Sequence, residues 1–356
     1  MLELIRLKEF RCFRQVDLEF GAGMTVLVGD NAQGKTSVLE AVCVLMRLQS
    51  PRTSQRGDLV RQGSAAAHVA GRYRGAELGV GLAAGSRRLR VDGVGVGRAS
   101  DYLGSSGLVV WMGGDDLQIV RGGGEVRRRY LDFVGSQLWP DYRPTLRSYE
   151  AALRRRNYLL KRDTAVPWAQ VDAFSEQLIQ HGERLRARRE ELVALLAPAA
   201  GRALGPLGGF QEMLGMRQSP SGGELAMREA LREARVEEQR RRQTLVGPHR
   251  DELLLELGGR AAAAYGSEGQ QRSLVLALKL AQAQVLEESR GIAPLLLLDD
   301  IFGELDKGRR NALMASLPEG SQKLITTTHL DWWEGMDERG EIWRFGGGTV
   351  AREAGV

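Results

Sequence analysis

Gly29-Asp30-Asn31-Ala32-Gln33-Gly34-Lys35-Thr36 constrains this chain more than any other stretch. It follows the apolar run Met24 to Val28 and precedes Ser37-Val38-Leu39-Glu40-Ala41-Val42, so the order strand, glycine loop, helix is predicted. A phosphate needs several donors converging on it with no side chains in the way. Glycines at both ends of a tight loop let backbone N–H groups point inward. Lys35 adds mobile positive charge for the β- and γ-phosphates, and Thr36 offers a hydroxyl that can ligate Mg²⁺. The stretch from Gly29 through Asp30, Asn31, Ala32, Gln33, Gly34, Lys35 and Thr36 to Ser37 is the candidate nucleotide cradle.

The chain has 356 residues, enough for one large domain or two modest ones with a proper core. A net charge of +5 and a pI near 9.4 lean towards a polyanionic partner. Cys12 and Cys43 are the only cysteines, which leaves neither a disulfide framework nor a zinc site and suits a reducing cytoplasm. Met1 to Lys8 alternates apolar and charged residues as a half-buried strand does, unlike the apolar core of an export signal. The best apolar run, Ile292 to Leu298, is far short of the roughly 20 residues that span a bilayer. A cytoplasmic protein without membrane contact is expected.

Leu2 to Phe20 reads as an antiparallel strand pair leading into the loop. Arg11, at the turn of that pair, is a candidate nucleotide contact, the alternative being an exposed strand arginine. His68 to Tyr73, Glu77 to Leu82 and Arg88 to Gly93 are spaced like a meander, so an antiparallel sheet should flank the nucleotide sheet. Leu108 to Met112 is a further buried-strand candidate.

Past Gly122-Gly123-Gly124 the texture changes. From Glu125 to about Arg242 helical periods dominate and arginines cluster, among them Arg127-Arg128-Arg129, Arg154-Arg155-Arg156 and Arg188-Arg189. Helical arginines often pair with glutamates such as Glu176, Glu183, Glu190 and Glu191. Across the whole insertion a shared basic face for a phosphate backbone is the competing expectation. Glycines from Gly201 to Gly223, with Pro206 and Pro220, should interrupt the helices, and no heptad run supports a long coiled coil. From Gln243 strand and helix alternate again. The expected division is a discontinuous head, residues 1–120 and 243–356, carrying a basic helical lobe at 121–242.

The second half of a nucleotide site is legible near the end of the chain. Leu295 to Leu298 run into Asp299-Asp300, as a central parallel strand does where its carboxyl end opens on a ligand crevice. Asp299 is placed to hold Mg²⁺, directly or through water. Asp300 would sit beside the γ-phosphate, where a carboxylate can orient or deprotonate the attacking water.

Tyr265-Gly266-Ser267-Glu268-Gly269-Gln270 opens a helix about thirty residues earlier and resembles the signature of the ATP-binding-cassette superfamily. Ser267, Gly269 and Gln270 match its Leu-Ser-Gly-Gly-Gln core; Gly266 and Glu268 depart from it, which argues against a transporter subunit. Glu304-Leu305-Asp306 stands at the spacing of the cassette's aspartate loop, with Asp306 its aspartate and Glu304 a second catalytic candidate. His329 closes Thr326-Thr327-Thr328-His329 where a γ-phosphate sensor would. Gln118 is the candidate for the glutamine loop.

Together with Leu245-Val246-Gly247-Pro248-His249-Arg250-Asp251, Glu268-Gly269-Gln270-Gln271-Arg272 and Gly123-Gly124-Glu125-Val126-Arg127-Arg128-Arg129-Tyr130-Leu131-Asp132, these motifs resemble the bacterial RecF recombination-repair family over nearly the whole chain. The resemblance implies an α/β fold: a cassette P-loop head, similar to that of SMC proteins but without their coiled coil, with a mixed sheet, flanking antiparallel strands and a mainly helical basic second lobe. It implies an ATP- and Mg²⁺-dependent homodimer that binds duplex DNA and single-strand/double-strand junctions, works with RecO and RecR to place RecA, and hydrolyses ATP slowly. In a cassette fold the signature reaches a γ-phosphate only on a second subunit, so Ser267, Glu268, Gly269 and Gln270 would act in trans. A cassette subunit of a transporter or a DNA-end-processing complex is the alternative reading. A metabolic phosphotransferase would need an acceptor pocket, for which the sequence offers no candidate.

Overall fold

The structure, a computed structural model, describes residues 1–162, 166–208, 213–332, 340–347 and 349–353. Two compact units emerge, Met1–Asp115 with Leu286–Val356, and Asp116–Val285.

The first unit begins with β1 (Leu2–Phe10) and β2 (Phe13–Glu19), antiparallel around Arg11 and Cys12. Ile5 and Leu7 point inward while Arg6 and Lys8 stay exposed, the period of two that a half-buried strand requires. The period breaks at the register shift between Leu2 and Leu4 and at Glu9 (φ +52°), beyond which Leu2 and Phe10 are also buried. β3 (Met24–Gly29) is buried on both faces up to Val28, and α1 (Lys35–Arg47) follows the loop. β4 (Ala66–Tyr73), β5 (Ala76–Ala83), β6 (Arg87–Val91) and β7 (Val94–Val96) form the expected meander, and α2 (Ala99–Gly104) leads to β8 (Val109–Gly113).

The second unit opens with α3 (Gln118–Arg121), α4 (Gly124–Leu138), α5 (Tyr142–Leu160) and α6 (Trp168–Gly208). β9 (Leu214–Ser219), α7 (Met227–Glu233), α8 (Arg235–Arg241), β10 (Glu252–Leu257), β11 (Arg260–Ala261) and α9 (Ala262–Tyr265) lead into α10 (Glu268–Arg290), where the units divide. Tyr142, Tyr149, Leu178 and Leu185 on α5 and α6, with Met227, Leu231 and Val246, make one core.

The chain then completes the first unit with β12 (Leu295–Asp299), α11 (Lys307–Ser316), β13 (Lys323–Thr327), β14 (Glu341–Gly346) and β15 (Thr349–Arg352). One sheet runs β2-β1-β4-β5-β6-β7, antiparallel throughout; the other runs β15-β14-β3-β13-β12-β8, parallel except for β15. α1 packs against strands of both sheets and is buried almost all round, which explains its run of Val, Leu and Ala with so few charges. β3, β12 and β13 are parallel neighbours, so the loop after β3 and the aspartates after β12 open on the same edge.

One local expectation changes. β9 lies in a stretch read as mainly helical, with no strand expected there; it exists because Leu214 to Ser219 pair residue for residue with β10, a long-range partner that local periodicity cannot reveal. α6 runs through Pro198 and Pro206 and ends at Gly208, inside the Gly201–Gly223 stretch expected to interrupt the helices. Each internal proline costs about 3 kcal/mol, which the buried stripe Leu196, Ala200, Leu204 and Leu207 offsets. Residues 244–251 form turns and bends before β10.

Candidate functional site

Gly29 and Gly34 frame the loop for steric reasons specific to this fold. Gly29 has φ +156°, and a Cβ there would lie 2.1 Å from the Phe345 carbonyl oxygen. Gly34, at φ +97°, caps α1; a Cβ there would meet Phe13 Cζ at 2.5 Å and Cys12 Sγ at 2.7 Å. Lys35 is 6% exposed and folds back across the loop, its Nζ donating to the carbonyl oxygens of Gly29 at 2.6 Å and Asp30 at 2.7 Å. Burial pulls the Lys35 ammonium below its usual pKa, while Asp300, Asp299 and Asp30 act the other way. Positive charge thus converges here from Lys35 and from the N-terminus of α1. Asp30, Asn31 and Ala32 are exposed at the loop's tip and Ser37 is buried in the first turn of α1.

Thr36 Oγ1 donates to Asp299 Oδ1 at 2.7 Å, and Thr326 Oγ1 donates to the same oxygen at 2.8 Å. Burial raises the pKa of Asp299, with the two threonines and Arg52 opposing that shift and Asp300 adding to it. Asp300 turns out of the strand at φ +53°, its N–H held by the hydroxyl of Thr326 at 3.0 Å and the carbonyl at 3.2 Å. Burial also raises Asp300; Lys35 and His329 lower it and Glu304 raises it further, so these four side chains share one field. His329 is exposed, with Nδ1 2.8 Å from Thr328 Oγ1. Glu304 is exposed in the short turn Ile301–Glu304, and behind it Phe302 stacks on Trp332 with ring centroids 4.4 Å apart. Lys35, Thr36, Asp299, Asp300, Glu304 and His329 therefore come together at one sheet edge. Thr326 was not singled out from sequence; the signal available was a hydroxyl run ending a buried strand beside the acidic one.

The donor set fits Mg²⁺, which prefers a few hard oxygens completed by phosphate and water. Among the described residues no three His, Cys, Asp or Glu side chains converge as a self-sufficient metal site. The hydroxyl of Thr36 and the carboxylate of Asp299 are the side chains that would hold the ion.

Arg11 does not extend from its strand freely. Its Nε and Nη2 clasp Glu40 of α1 at 2.7 and 2.6 Å, and Nη1 donates to the Asp58 carbonyl at 2.7 Å. Glu40 is fully buried and also accepts from Ser50 Oγ at 2.5 Å. Arg11 thereby braces the loop's helix. Asp306 caps α11 by accepting from Arg309 N at 3.0 Å.

In the second unit, Ser267 N donates to Gln270 Oε1 at 2.7 Å and Gln270 N donates to Ser267 Oγ at 3.3 Å, a reciprocal cap on α10. Glu268 accepts from Arg272 Nη2 at 3.0 Å, Gly269 lies in the first turn, and Gln118 is exposed at the start of α3.

The candidate DNA arginines separate into two kinds. Arg156 is 2% exposed, paired with Glu238 at 2.6 Å and bonded to Ser175 and Thr244. Arg189 is equally buried, held by Asp132 at 2.8 Å and the Pro248 carbonyl at 2.7 Å. Burial withdraws both from any DNA-facing surface, correcting the expectation drawn from their clusters. Arg127 ties Glu252 to the Gly122 carbonyl, each at 2.7 Å, and Arg128 bonds the Asp251 carbonyl at 2.8 Å, both half-buried. Arg129 and Arg154 stay exposed beside Glu125 and Glu150. Arg155 is exposed over Phe174, and Arg188 pairs with Glu191 and Asp141 at the surface.

A family model described as an AAA domain matches residues 4–77. The SMC head bound to the C-winged helix domain of ScpA shares the fold, with a TM-score of 0.55 at 16% identity over 99% of this chain and 97% of that one. Fold and loop define a P-loop nucleotide-binding head of the AAA and ATP-binding-cassette type. The DNA replication and repair protein RecF of Synechococcus sp. (strain JA-3-3Ab) is 41% identical over 348 residues, 92% of this chain and 91% of its own. RecF of Myxococcus xanthus (strain DK1622) is 37% identical over 98% and 97% of the two chains. A solved structure described as the recombination mediator protein RecF-ATP in the RecFOR pathway superposes with a TM-score of 0.88 at 29% identity, covering 99% of this chain and 97% of that one. The chain belongs to the RecF family of DNA replication and repair proteins.

Proposed function

We propose that this protein is an ATP-gated DNA-binding switch of recombinational repair and a slow ATPase. The observation that carries the reading is the convergence of Lys35, the Thr36–Asp299 contact and Asp300 at one sheet edge. Residues 1–120 and 243–356 act as the nucleotide head and 121–242 as its basic lobe.

Backbone N–H groups of residues 30–36 and the ammonium of Lys35 receive the phosphates. Two of the three Lys35 N–H bonds already fix the side chain across the loop, which leaves the third for a phosphate oxygen. Mg²⁺ held by Thr36 and Asp299 would neutralise phosphate charge. Asp300 orients the attacking water or takes its proton, and His329 and Glu304 flank it. Because an aspartate reaches about one methylene less far than a glutamate, the base works at a distance and turnover is slow.

Ser267, Glu268, Gly269 and Gln270 of one copy meet the γ-phosphate on Lys35 of another, so that two ATP molecules bridge a two-fold dimer, with Asp306 at the same seam. Arg11 supports the nucleotide loop through Glu40, and Gln118 serves as the glutamine-loop residue. The dimer binds duplex DNA and junctions through phosphate contacts from surface arginines such as Arg129, Arg154, Arg155 and the half-buried Arg188. RecO and RecR act with it in placing RecA, and hydrolysis releases it in the cytoplasm.

Titration of the ATPase rate against duplex DNA tests this reading. A DNA-stimulated rate supports it; a rate indifferent to DNA, with no ATP-dependent DNA binding, refutes it.

A further inference from the structure

α5 carries a surface of its own. At about 100° per residue, Arg143, Arg147, Arg154, Tyr158 and, one residue past the helix, Lys161 fall on one stripe, while Tyr142, Tyr149, Ala152, Leu159 and Leu160 face the opposite way into the core. Arg147, Arg154, Tyr158 and Lys161 are exposed, and Tyr158 is 66% exposed. At that exposure most of the ring is open to solvent and available to a stacking partner. The guanidinium of Arg162 stands 5.7 Å from the centre of its ring, and Arg154 is 71% exposed in its side chain. α5 holds a single carboxylate, Glu150, 3.9 Å from Arg154, an exposed pair too weak to neutralise the stripe.

We propose that this stripe tracks a nucleic-acid strand, with Arg147, Arg154 and Lys161 on phosphates about three nucleotides apart and Tyr158 stacked on an unpaired base. Arg143 to Lys161 spans roughly 27 Å at 1.5 Å per residue, the length of about eight nucleotides at 3.4 Å each. A fully paired duplex offers phosphates to the arginines but no open base face to the ring. Single-stranded nucleic acid offers both, and sequence-tolerant stacking on an exposed aromatic beside arginine is the recurrent means of holding it. The stripe therefore favours the single-stranded side of a junction. This inference rests on the DNA-binding reading above and assigns it a residue-level surface and a substrate preference.

The test uses the full chain with Mg²⁺ and ATP, reading fluorescence anisotropy of a blunt duplex and of the same duplex carrying a single-stranded tail. Tyr158→Ala is expected to lose about tenfold in affinity for the tailed duplex and nothing for the blunt one, with Tyr158→Phe restoring the wild-type preference. Arg147→Glu combined with Arg154→Glu is expected to lower the salt slope for the tailed duplex by about one to two. If both variants bind the two DNAs as wild type does, with the same salt slope, the stripe is not a nucleic-acid surface, whatever they do to an acidic protein partner. Failure of the wild-type protein to bind either DNA would overturn the reading of the preceding section, and this inference with it.

Discussion

Thr36 and Asp299, 263 positions apart in the chain, meet side chain to side chain, the hydroxyl donating to Oδ1 at 2.7 Å. The contact joins the first turn of α1 to the end of β12. It leaves a half-buried carboxylate, raised above its usual pKa by burial, which Arg52 and Lys35 influence only through the field and not through a direct ion pair. A divalent ion is the group that would offset the desolvation, and only when phosphate completes its oxygen shell. Asp299→Asn keeps the shape and removes the charge. Wild-type ATP affinity should fall on chelation with EDTA by about tenfold or more, while the variant's affinity should barely respond. Fluorescent-nucleotide titration with and without EDTA reads both, and an equal response in the two proteins would contradict the assignment.

Asp300 supplies a pH signature. Burial outweighs the opposing charges of Lys35 and His329, so its carboxyl holds a proton at a higher pH than an ordinary aspartate, near 3.9. The ionised form is the one that acts on water, so hydrolysis should fall as pH drops through a pKa above that value. Asp300→Asn should lower single-turnover hydrolysis by about a hundredfold or more and remove this limb, while ATP binding persists and the DNA-bound state lasts longer. Wild-type hydrolysis in Asp300→Asn would move the base to Glu304.

The arginines of the second unit should divide by burial, not by cluster. Arg156→Ala strands Glu238, which is 0% exposed, and is expected to destabilise the protein by about 3–5 kcal/mol. Arg129→Ala, two clusters' worth of sequence logic aside, removes only an exposed pair with Glu125 and should stay within about 0.5 kcal/mol of wild type. Chemical denaturation of the two variants separates them, and equal midpoints would contradict the division.

These particulars mark what a sequence can reveal. Met24 to Val28 and Leu295 to Leu298 announce themselves because buried parallel strands need continuous apolar residues and end abruptly in polar ones where the crevice opens. The loop between Gly29 and Lys35 is equally legible, since its steric demands leave no alternative residue at Gly29 or Gly34. β9 was hidden because its partner β10 lies beyond α7 and α8, and a six-residue strand has little period to read. The burial of Arg156 and Arg189 was hidden too. Helical period shows which face a residue takes, not whether a carboxylate from a distant segment waits there.

The account stands most directly on Ser267. It caps α10 through Gln270 in the isolated chain, and it is the residue assigned to the γ-phosphate of a second copy. Light scattering on adding ATP and Mg²⁺ decides the matter, with Lys35→Met as the control that cannot bind nucleotide. The wild-type protein should double in mass, and Ser267→Arg should bind fluorescent ATP normally yet stay monomeric, hydrolyse nothing and bind DNA weakly. A Ser267→Arg protein that still dimerises with ATP would contradict the shared site.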